Sequence, residues 1–148
     1  MIGVGHVALS AREPVVLAEF YRNVLGLQVV PTETSDLGES AFLSSNPADA
    51  SVDLVFFANP AYRHTAFEVG SLADLRAFHQ WVLRQGVPVK MALNHGVSLS
   101  FYFEDPEEHL IEIYCTTGVA CLPRHGDPID LTLPEEALLR DVREVAVR

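Results

Sequence analysis

The amino-acid sequence predicts an α+β domain made of two paired βαβββ modules. The first observation behind this prediction is that each half contains a strand-like stretch with a histidine, then an amphipathic helix, then three further strand-like stretches. The second is a near-constant spacing between matching landmarks: His64 follows His6 by 58 positions, and Gly86 follows Gly26 by 60 (86 − 26). A repeated spacing of this kind indicates two copies of one structural unit.

Acidic residues take matching places too, since Glu112 follows Asp53 by 59 positions (112 − 53). The modules are predicted to cover residues 1–58 and 61–116, followed by a connector and a helix at 117–148. Neither module is long enough to close a hydrophobic core alone, so we expect the two to pair side by side as a single domain.

The first module begins with apolar alternation that predicts a strand at residues 4–9. Pro14 then opens a helix, because proline is favoured at the first helical position, and Gly26 ends it. The apolar stripe of this helix is predicted to contain Leu17, Phe20, Tyr21, Val24 and Leu25. Stretches bounded by turn-forming residues predict strands at 27–32, 40–44 and 51–57.

The second module repeats this order. A strand at residues 62–69 carries His64, and Gly86 ends the helix that follows. The apolar stripe of that helix contains Leu75, Phe78, Val82 and Leu83. Strands are predicted at 88–92, 99–104 and 110–115.

The tail after residue 116 lies outside the repeat. Glycines and prolines make its first part an irregular connector, and residues 132–135 (TLPE) predict a capping box at the start of a helix. The apolar stripe of this helix contains Leu138, Leu139, Val142 and Val145. It is predicted to cover either its own domain or a second subunit, and the sequence leaves both alternatives open.

Strand alternation divides the side chains between two faces of the sheet, because successive residues point to opposite sides. Toward the helices we expect Val52, Leu54, Phe56, Leu99, Phe101, Phe103, Ile111, Ile113 and Cys115. Away from the helices we expect His6, Asp53, His64, Ser98, Ser100, Tyr102, Glu104, Glu112 and Tyr114. Polar and ionisable groups from five strands on one face predict a pocket there.

Composition excludes several classes of protein. With 49% hydrophobic and 20% charged residues, the chain is expected to be globular. A net charge of −10 without a basic cluster argues against nucleic acid or an anionic membrane as a partner. No apolar run approaches the roughly 20 residues that span a bilayer, and no signal peptide is recognisable. Cys115 and Cys121 form no disulfide framework, so we expect a cytoplasmic protein.

Residues 94–114 (NHGVSLSFYFEDPEEHLIEIY) resemble the HGxSxSxYFxDPxGNxIExY motif of small extradiol, catechol 2,3-dioxygenase-like ring-cleaving enzymes. These belong to the vicinal oxygen chelate superfamily, which also includes glyoxalases and bleomycin resistance proteins. Residues 5–9, 20–27 and 63–69 are similar to the first metal strand, the helix end and the second metal strand of that family. The resemblance covers residues 1 to about 116.

The resemblance implies a U-shaped mixed β-sheet barrel around one divalent metal, with His6, His64 and Glu112 as ligands. Two imidazoles and one carboxylate are the ligand set of non-haem Fe(II) oxygenases, in which open positions accept substrate and O₂. Fe(II) is the metal expected first, with Mn(II), Zn(II) and Ni(II) as alternatives. The expected partners are O₂, a small substrate with vicinal oxygens, and a second copy of the chain in a homodimer.

The same resemblance implies two catalytic residues. Tyr102 matches an active-site tyrosine that hydrogen-bonds the substrate or a reaction intermediate, and His95 matches an acid–base histidine, which suits proton transfer near neutral pH. We expect His79 to pack at the flank of its helix and His109 to stabilise a turn.

Two departures from the family pattern keep other functions open. Glu108 replaces the glycine of a turn that needs φ > 0, and residues 49–63 contain no histidine, whereas many extradiol enzymes have one there. The first alternative is a metal-dependent lyase or isomerase, related to glyoxalase I or an epimerase, with a fourth ligand from the strand of Asp53. The second is a non-catalytic drug-binding protein. In the dioxygenase, Asp53 is predicted to lie near the metal without binding it.

Overall fold

The computed structural model describes residues 2–31, 38–49, 51–119 and 126–146. Within these ranges the helices are α1 (Pro14–Leu25), α2 (Leu72–Arg84) and α3 (Glu135–Ala146). The strands of the first half are β1 (Gly3–Ser10), β2 (Gln28–Val30), β3 (Ser40–Ser44) and β4 (Leu54–Phe57). Those of the second half are β5 (His64–Glu68), β6 (Met91–Asn94), β7 (Ser98–Glu104), β8 (Leu110–Thr116) and β9 (Asp127–Pro128). Short 3₁₀ turns occupy Pro47–Asp49 and Pro60–Tyr62.

All nine of these strands join one mixed sheet in the order β2-β3-β4-β1-β5-β8-β7-β6-β9. Each module pairs its first and last strands in parallel, β1 with β4 and β5 with β8. The two modules meet where β1 pairs antiparallel with β5. The second half of the order is therefore the mirror of the first, and the sheet stays open between β2 and β9. This confirms the predicted α+β fold of two paired βαβββ modules.

The helices begin and end as local chemistry dictates. Pro14 is the first residue of α1, and Gly26 adopts φ 74° after it while its N–H donates to the carbonyl of Arg22. Ser71 caps α2 by accepting from the N–H of Asp74. The capping box predicted at residues 132–135 does not form: α3 begins only at Glu135, and the hydroxyl of Thr132 donates to Asp130 at 2.6 Å.

The main core lies in the second module, where α2 and α3 cover the same side of β7 and β8. Its fully buried members include Leu75, Leu99, Phe101, Ile113, Leu138 and Val142. Leu138 and Val142 of α3 therefore pack on their own chain. No helix in the described ranges has the length and hydropathy needed to cross a membrane.

Helix α1 is covered less than its stripe predicts. Leu17 and Tyr21 pack on the sheet with Ala18, but Phe20, Val24 and Leu25 are 57%, 62% and 63% exposed. In the second module α3 shares one hydrophobic core with α2, whereas no described element takes the corresponding place beside α1. The periodicity predicted an apolar stripe correctly, but it could not show that only part of the stripe has a partner.

Two strands begin three residues later than predicted (91 − 88 and 54 − 51). Strand β6 begins at Met91 rather than at residue 88, because Pro88 has no N–H to give to the ladder. Pairing with β7 starts where the N–H of Lys90 donates to the carbonyl of Tyr102. Strand β4 begins at Leu54 rather than at residue 51, so the alternation assumed for Val52 does not apply. Val52 packs on the face away from α1.

Candidate metal centre

The three predicted ligands converge at the boundary between the modules. His6 lies on β1, His64 on β5 and Glu112 on β8. The Nε2 atoms of the two histidines are 3.1 Å apart. Oε2 of Glu112 lies 3.1 Å from Nε2 of His6 and 3.0 Å from Nε2 of His64. In the part of the chain that the structure describes, these residues form the one group of histidine, cysteine or acidic side chains arranged to hold a metal.

The strand register explains this convergence. Ala66 on β5 pairs with His6 on one side and with Glu112 on the other. His64 is two residues before Ala66 and therefore points to the same face of the sheet. Ala66 is completely buried, and its short side chain leaves room above it. The three longer side chains can meet in that room.

The donor triangle fits a metal bound on one face of an octahedron. With metal–ligand distances of about 2.1 Å, neighbouring ligands at right angles lie about 3.0 Å apart, whereas tetrahedral ligands lie about 3.4 Å apart. The observed edges of 3.0–3.1 Å match the right-angled case. A facial set of two imidazoles and one carboxylate leaves three neighbouring positions open to other ligands.

The surroundings orient the donors and set their charge. Nδ1 of His64 donates to the carbonyl of Tyr62 at 2.8 Å, so Nε2 is the ring nitrogen that faces the site. Burial opposes protonation of His64, but its hydrogen bond to Glu112 and the charge of that carboxylate raise its pKa. Burial likewise opposes ionisation of Glu112, but hydrogen bonds from His6 and His64 hold its pKa well below the usual value. The carboxylate is therefore ionised, as a ligand must be.

The structure also brings Tyr102 and His95 to this site. Tyr102 on β7 pairs directly with Glu112 across the sheet and points to the same face. The Tyr102 hydroxyl lies 3.0 Å from Nε2 of His95 and accepts from Ser100 at 3.5 Å. Nε2 of His95 is 3.8 Å from the second carboxylate oxygen of Glu112. A histidine and a phenol that can exchange protons thus stand beside the donor triangle.

Asp53 does not belong to this group, and its predicted match with Glu112 is wrong. Glu112 pairs with Ala66 on the neighbouring parallel strand, and the residue that pairs with Ala8 in the first module is Val55. The register therefore makes Val55 the counterpart of Glu112. The exposed carboxylate of Asp53 instead accepts from the N–H of Ser45.

An apolar wall borders the donor triangle on the side of the first module. Phe57 is its centre, with ring centroids 5.8 Å from Phe42, 5.5 Å from Tyr62 and 6.4 Å from His64. Val55 packs in the same cluster and is 1% exposed. The site is thus apolar toward the first module and polar toward the second.

The two other histidines that the structure describes, His79 and His109, make structural contacts, as expected. His79 is buried, with its ring 5.1 Å from that of Phe101, and burial lowers its pKa. Nδ1 of His109 donates to Asp105 at 2.9 Å in the turn before β8. In that turn Glu108 adopts φ 67°, the conformation expected to favour glycine. His125 and Cys121 lie outside the described residues.

Sequence reasoning missed residues that act by being small. A Cβ on Gly5 would lie 1.9 Å from the Tyr114 hydroxyl, because the Tyr114 ring crosses β1 at that point. The same ring packs against His6 with centroids 5.4 Å apart. Neither Gly5 nor Ala66 has a functional group that would mark it in the sequence. Their importance becomes visible only when the strands are paired in the structure.

Comparisons with known proteins agree with this architecture. The family model described as Glyoxalase/Bleomycin resistance protein/Dioxygenase superfamily matches residues 3–113. Biphenyl-2,3-diol 1,2-dioxygenase 3 of Rhodococcus globerulus is 24% identical over 116 residues, which cover 74% of this chain and 61% of that protein. The chain thus spans less than two thirds of that relative.

Solved structures show the same fold at low sequence identity. A crystal structure of catechol 2,3-dioxygenase has a TM-score of 0.67 at 23% identity and covers 86% of this chain, which spans 45% of that protein. The Mn(II)-bound glyoxalase from Novosphingobium aromaticivorans has a TM-score of 0.61 at 17% identity. That match covers 97% of this chain and 52% of the other.

Proposed function

The chain belongs to the glyoxalase/bleomycin resistance protein/dioxygenase superfamily, and on that premise we propose that it is a metal-dependent extradiol-type dioxygenase that cleaves the ring of a catechol-like substrate with O₂. One observation carries this proposal: among the residues that the structure describes, the group that could hold a metal has three donors. Where the first module could add a donor matching Glu112, it has Val55. Three donors leave enough positions for a chelating substrate and a gas molecule together.

The two sides of the site suit a catechol. The apolar wall around Phe57 would border an aromatic ring, and Tyr102 and His95 would hydrogen-bond its oxygens. The curated relative from Rhodococcus globerulus is named for a biphenyl diol, which combines an apolar aromatic body with two adjacent hydroxyls. A substrate of this class would match both sides of the site.

We assign a separate role in the proposed reaction to each group of residues at the site. His6, His64 and Glu112 would hold the metal, for which we propose Fe(II); when bound, it supplies adjacent coordination positions for substrate and O₂ and a path for electrons from the ring to O₂. Both oxygen atoms enter the ring-opened product, so no external reductant is needed. His95 Nε2 accepts a proton from a substrate hydroxyl, and Tyr102 hydrogen-bonds a substrate oxygen.

The apolar wall would complete the site by limiting water. Val55 and Phe57 have no polar side-chain atom, and they are only 1% and 5% exposed. Exclusion of water strengthens the hydrogen bonds of Tyr102 and His95 and keeps water from competing with the substrate.

The test begins with protein purified without air. Its metal is analysed, Fe(II) is loaded anaerobically, and a panel of catechols is added with O₂ while oxygen uptake and the yellow ring-opened product are followed. His64→Ala should abolish stoichiometric metal binding, because two donors make a poor site. Wild-type metal affinity in that variant would overturn the ligand assignment.

The catalytic roles need variants that keep the metal. Tyr102→Phe and His95→Asn should each lower kcat by about 10²- to 10⁴-fold at unchanged metal content. Tyr21→Phe and His109→Asn are matched controls, since these residues lie on the other face of the sheet and in an exposed turn. Full activity in both site variants would contradict the proton-transfer roles.

A metal-dependent lyase or isomerase is the second candidate function. Its support is the glyoxalase structure, whose match covers 97% of this chain. A protein that binds metal stoichiometrically but consumes no O₂ with any catechol would favour this function, and screening would then move to thiol hemiacetals and acyl thioesters. Failure to bind metal at all would leave a non-catalytic small-molecule binding protein.

A further inference from the structure

The loop that carries His95 is fastened at several points. Residues 94–98 join β6 to β7, and the N–H of His95 donates to the carbonyl of Ser98 at 2.9 Å. Gly96 adopts φ 80°, which lets the chain reverse within so few residues. This turn directs the His95 ring toward Tyr102.

Asn94 holds this loop from the side of β6. Its Oδ1 accepts from the N–H of Gly96 at 2.8 Å, and its side chain is completely buried. Its Nδ2 has no hydrogen-bond partner among the described residues. A buried donor without a partner costs about 1–3 kcal/mol. Stability alone would therefore favour an apolar residue at this position. The hydrogen bond to Oδ1 instead fixes the backbone of the loop at Gly96.

Thr117 holds the same loop from the side of β8. It directly follows the last residue of that strand, Thr116. Its hydroxyl donates to the carbonyl of Gly96 at 2.7 Å, and its N–H donates to the carbonyl of Val97 at 3.0 Å. The strand that carries Glu112 is thus also attached to the loop that carries His95.

We propose that Asn94 and Thr117 are positioning residues that hold His95 at its distance from Tyr102. Together they bind both peptide groups of Gly96, its N–H and its C=O, so the backbone directly after His95 cannot rotate. The catalytic consequence rests on the proposed dioxygenase function, because it requires His95 to transfer protons. The attachment of the loop is a property of the fold and can be measured without catalysis.

Matched variants isolate each contact. Asn94→Ala and Asn94→Ser have nearly the same size and both remove the unpartnered Nδ2, but only serine keeps an oxygen that can accept from Gly96. Thr117→Val and Thr117→Ser form the second pair, in which only serine keeps the hydroxyl. In each pair the first variant should release the loop, and the second should restore much of its order.

The first readout is independent of catalysis and uses Zn(II)-loaded protein. Loss of the Asn94 acceptor should speed amide hydrogen exchange at Gly96 by roughly 3- to 10-fold. Crystal structures of Asn94→Ala and Thr117→Val should show His95 withdrawn from Tyr102 while His6, His64 and the metal stay in place. Unchanged exchange and an unchanged His95–Tyr102 distance would overturn the proposal, whatever reaction the protein catalyses.

The second readout is the turnover number on a catechol. A displacement of about 1 Å can cost roughly 100-fold in rate, so Asn94→Ala should lower kcat by about 10- to 100-fold. The serine variant should recover most of the loss. In a His95→Asn background Asn94→Ala should have no further effect on kcat, because there is no longer an imidazole to position. An equal loss in both backgrounds, or no recovery with serine, would show a merely structural role.

If wild-type protein cleaves no catechol, the proposed function fails, and the hydrogen exchange and the crystallographic distance still decide the positioning role.

Discussion

Substitution of Gly5 by alanine should disturb the metal centre through a residue that binds no metal. The added Cβ would lie 1.9 Å from the hydroxyl oxygen of Tyr114 and 2.6 and 2.7 Å from its Cζ and Cε1 atoms. Ordinary carbon contacts are about 3.5–4.0 Å, so the ring must move by roughly 1 Å or more. It is packed against His6, and movement of the ring therefore presses on a proposed metal ligand.

The size of the effect follows from two opposing terms. Overpacking in a filled space costs about 1–3 kcal/mol. Replacing glycine by alanine stabilises the folded state by about 0.4–1 kcal/mol, because alanine restricts the conformations of the unfolded chain. We therefore expect Gly5→Ala to lower the free energy of unfolding of the metal-free protein by about 1–2 kcal/mol. Displacement of a group that orients a ligand should weaken metal binding by about 10- to 100-fold.

Urea unfolding of metal-free protein and calorimetric titration with Zn(II) measure these two effects. Gly3→Ala is the matched control. Gly3 lies on the same strand as Gly5, but a Cβ added there meets nothing within 4 Å. Tyr114→Phe should not relieve Gly5→Ala, since the ring carbons remain too close, whereas Tyr114→Ala should remove most of the penalty. The reasoning is refuted if Gly5→Ala behaves like Gly3→Ala, or if its penalty persists without the Tyr114 ring.

Three other expected outcomes test separate features. Ala66→Leu should abolish stoichiometric metal binding by filling the space between the ligands, while Ala66→Gly keeps it; metal binding by the leucine variant would contradict the role of this small residue. Glu108→Gly should raise the free energy of unfolding by about 0.5–1 kcal/mol, because glycine relieves the strain of a positive φ. The control Glu107→Gly should lower the free energy of unfolding. Equal effects of the two substitutions in urea unfolding would show that the turn holds no strain. Burial raises the pKa of the Cys115 thiol to about 11. In a Cys121→Ser variant, iodoacetamide at pH 8 should therefore label Cys115 only in unfolded protein. Rapid labelling of folded protein would show an accessible thiolate.

The sequence was sufficient to predict the repeat from its spacing. Strand alternation placed His6, His64 and Glu112 on one face, and the family resemblance implied that the three converge. The sequence was not sufficient to match Asp53 correctly. Spacing between landmarks includes turns whose lengths differ between the modules, and a difference of two residues selects Asp53 instead of Val55. Only the hydrogen-bond register of the parallel strands identifies the counterpart of Glu112.

Packing partners were the second thing that the sequence could not supply. The apolar stripe of α1 follows from helical periodicity, but its exposed residues depend on what lies beside the helix in three dimensions. Asn94 and Thr117 were unremarkable for the same reason, since each acts on Gly96 across a strand boundary.

The division of the three candidate donors between the modules determines when the proposed metal site can be complete. His6 comes from the first module, and His64 and Glu112 come from the second. During synthesis the carboxylate is the last of the three to leave the ribosome, and the donors meet only after β1 has paired with β5 and β5 with β8. A nascent, truncated or half-folded chain offers at most two of them together. If these residues bind a metal as proposed, tight binding therefore requires a finished fold.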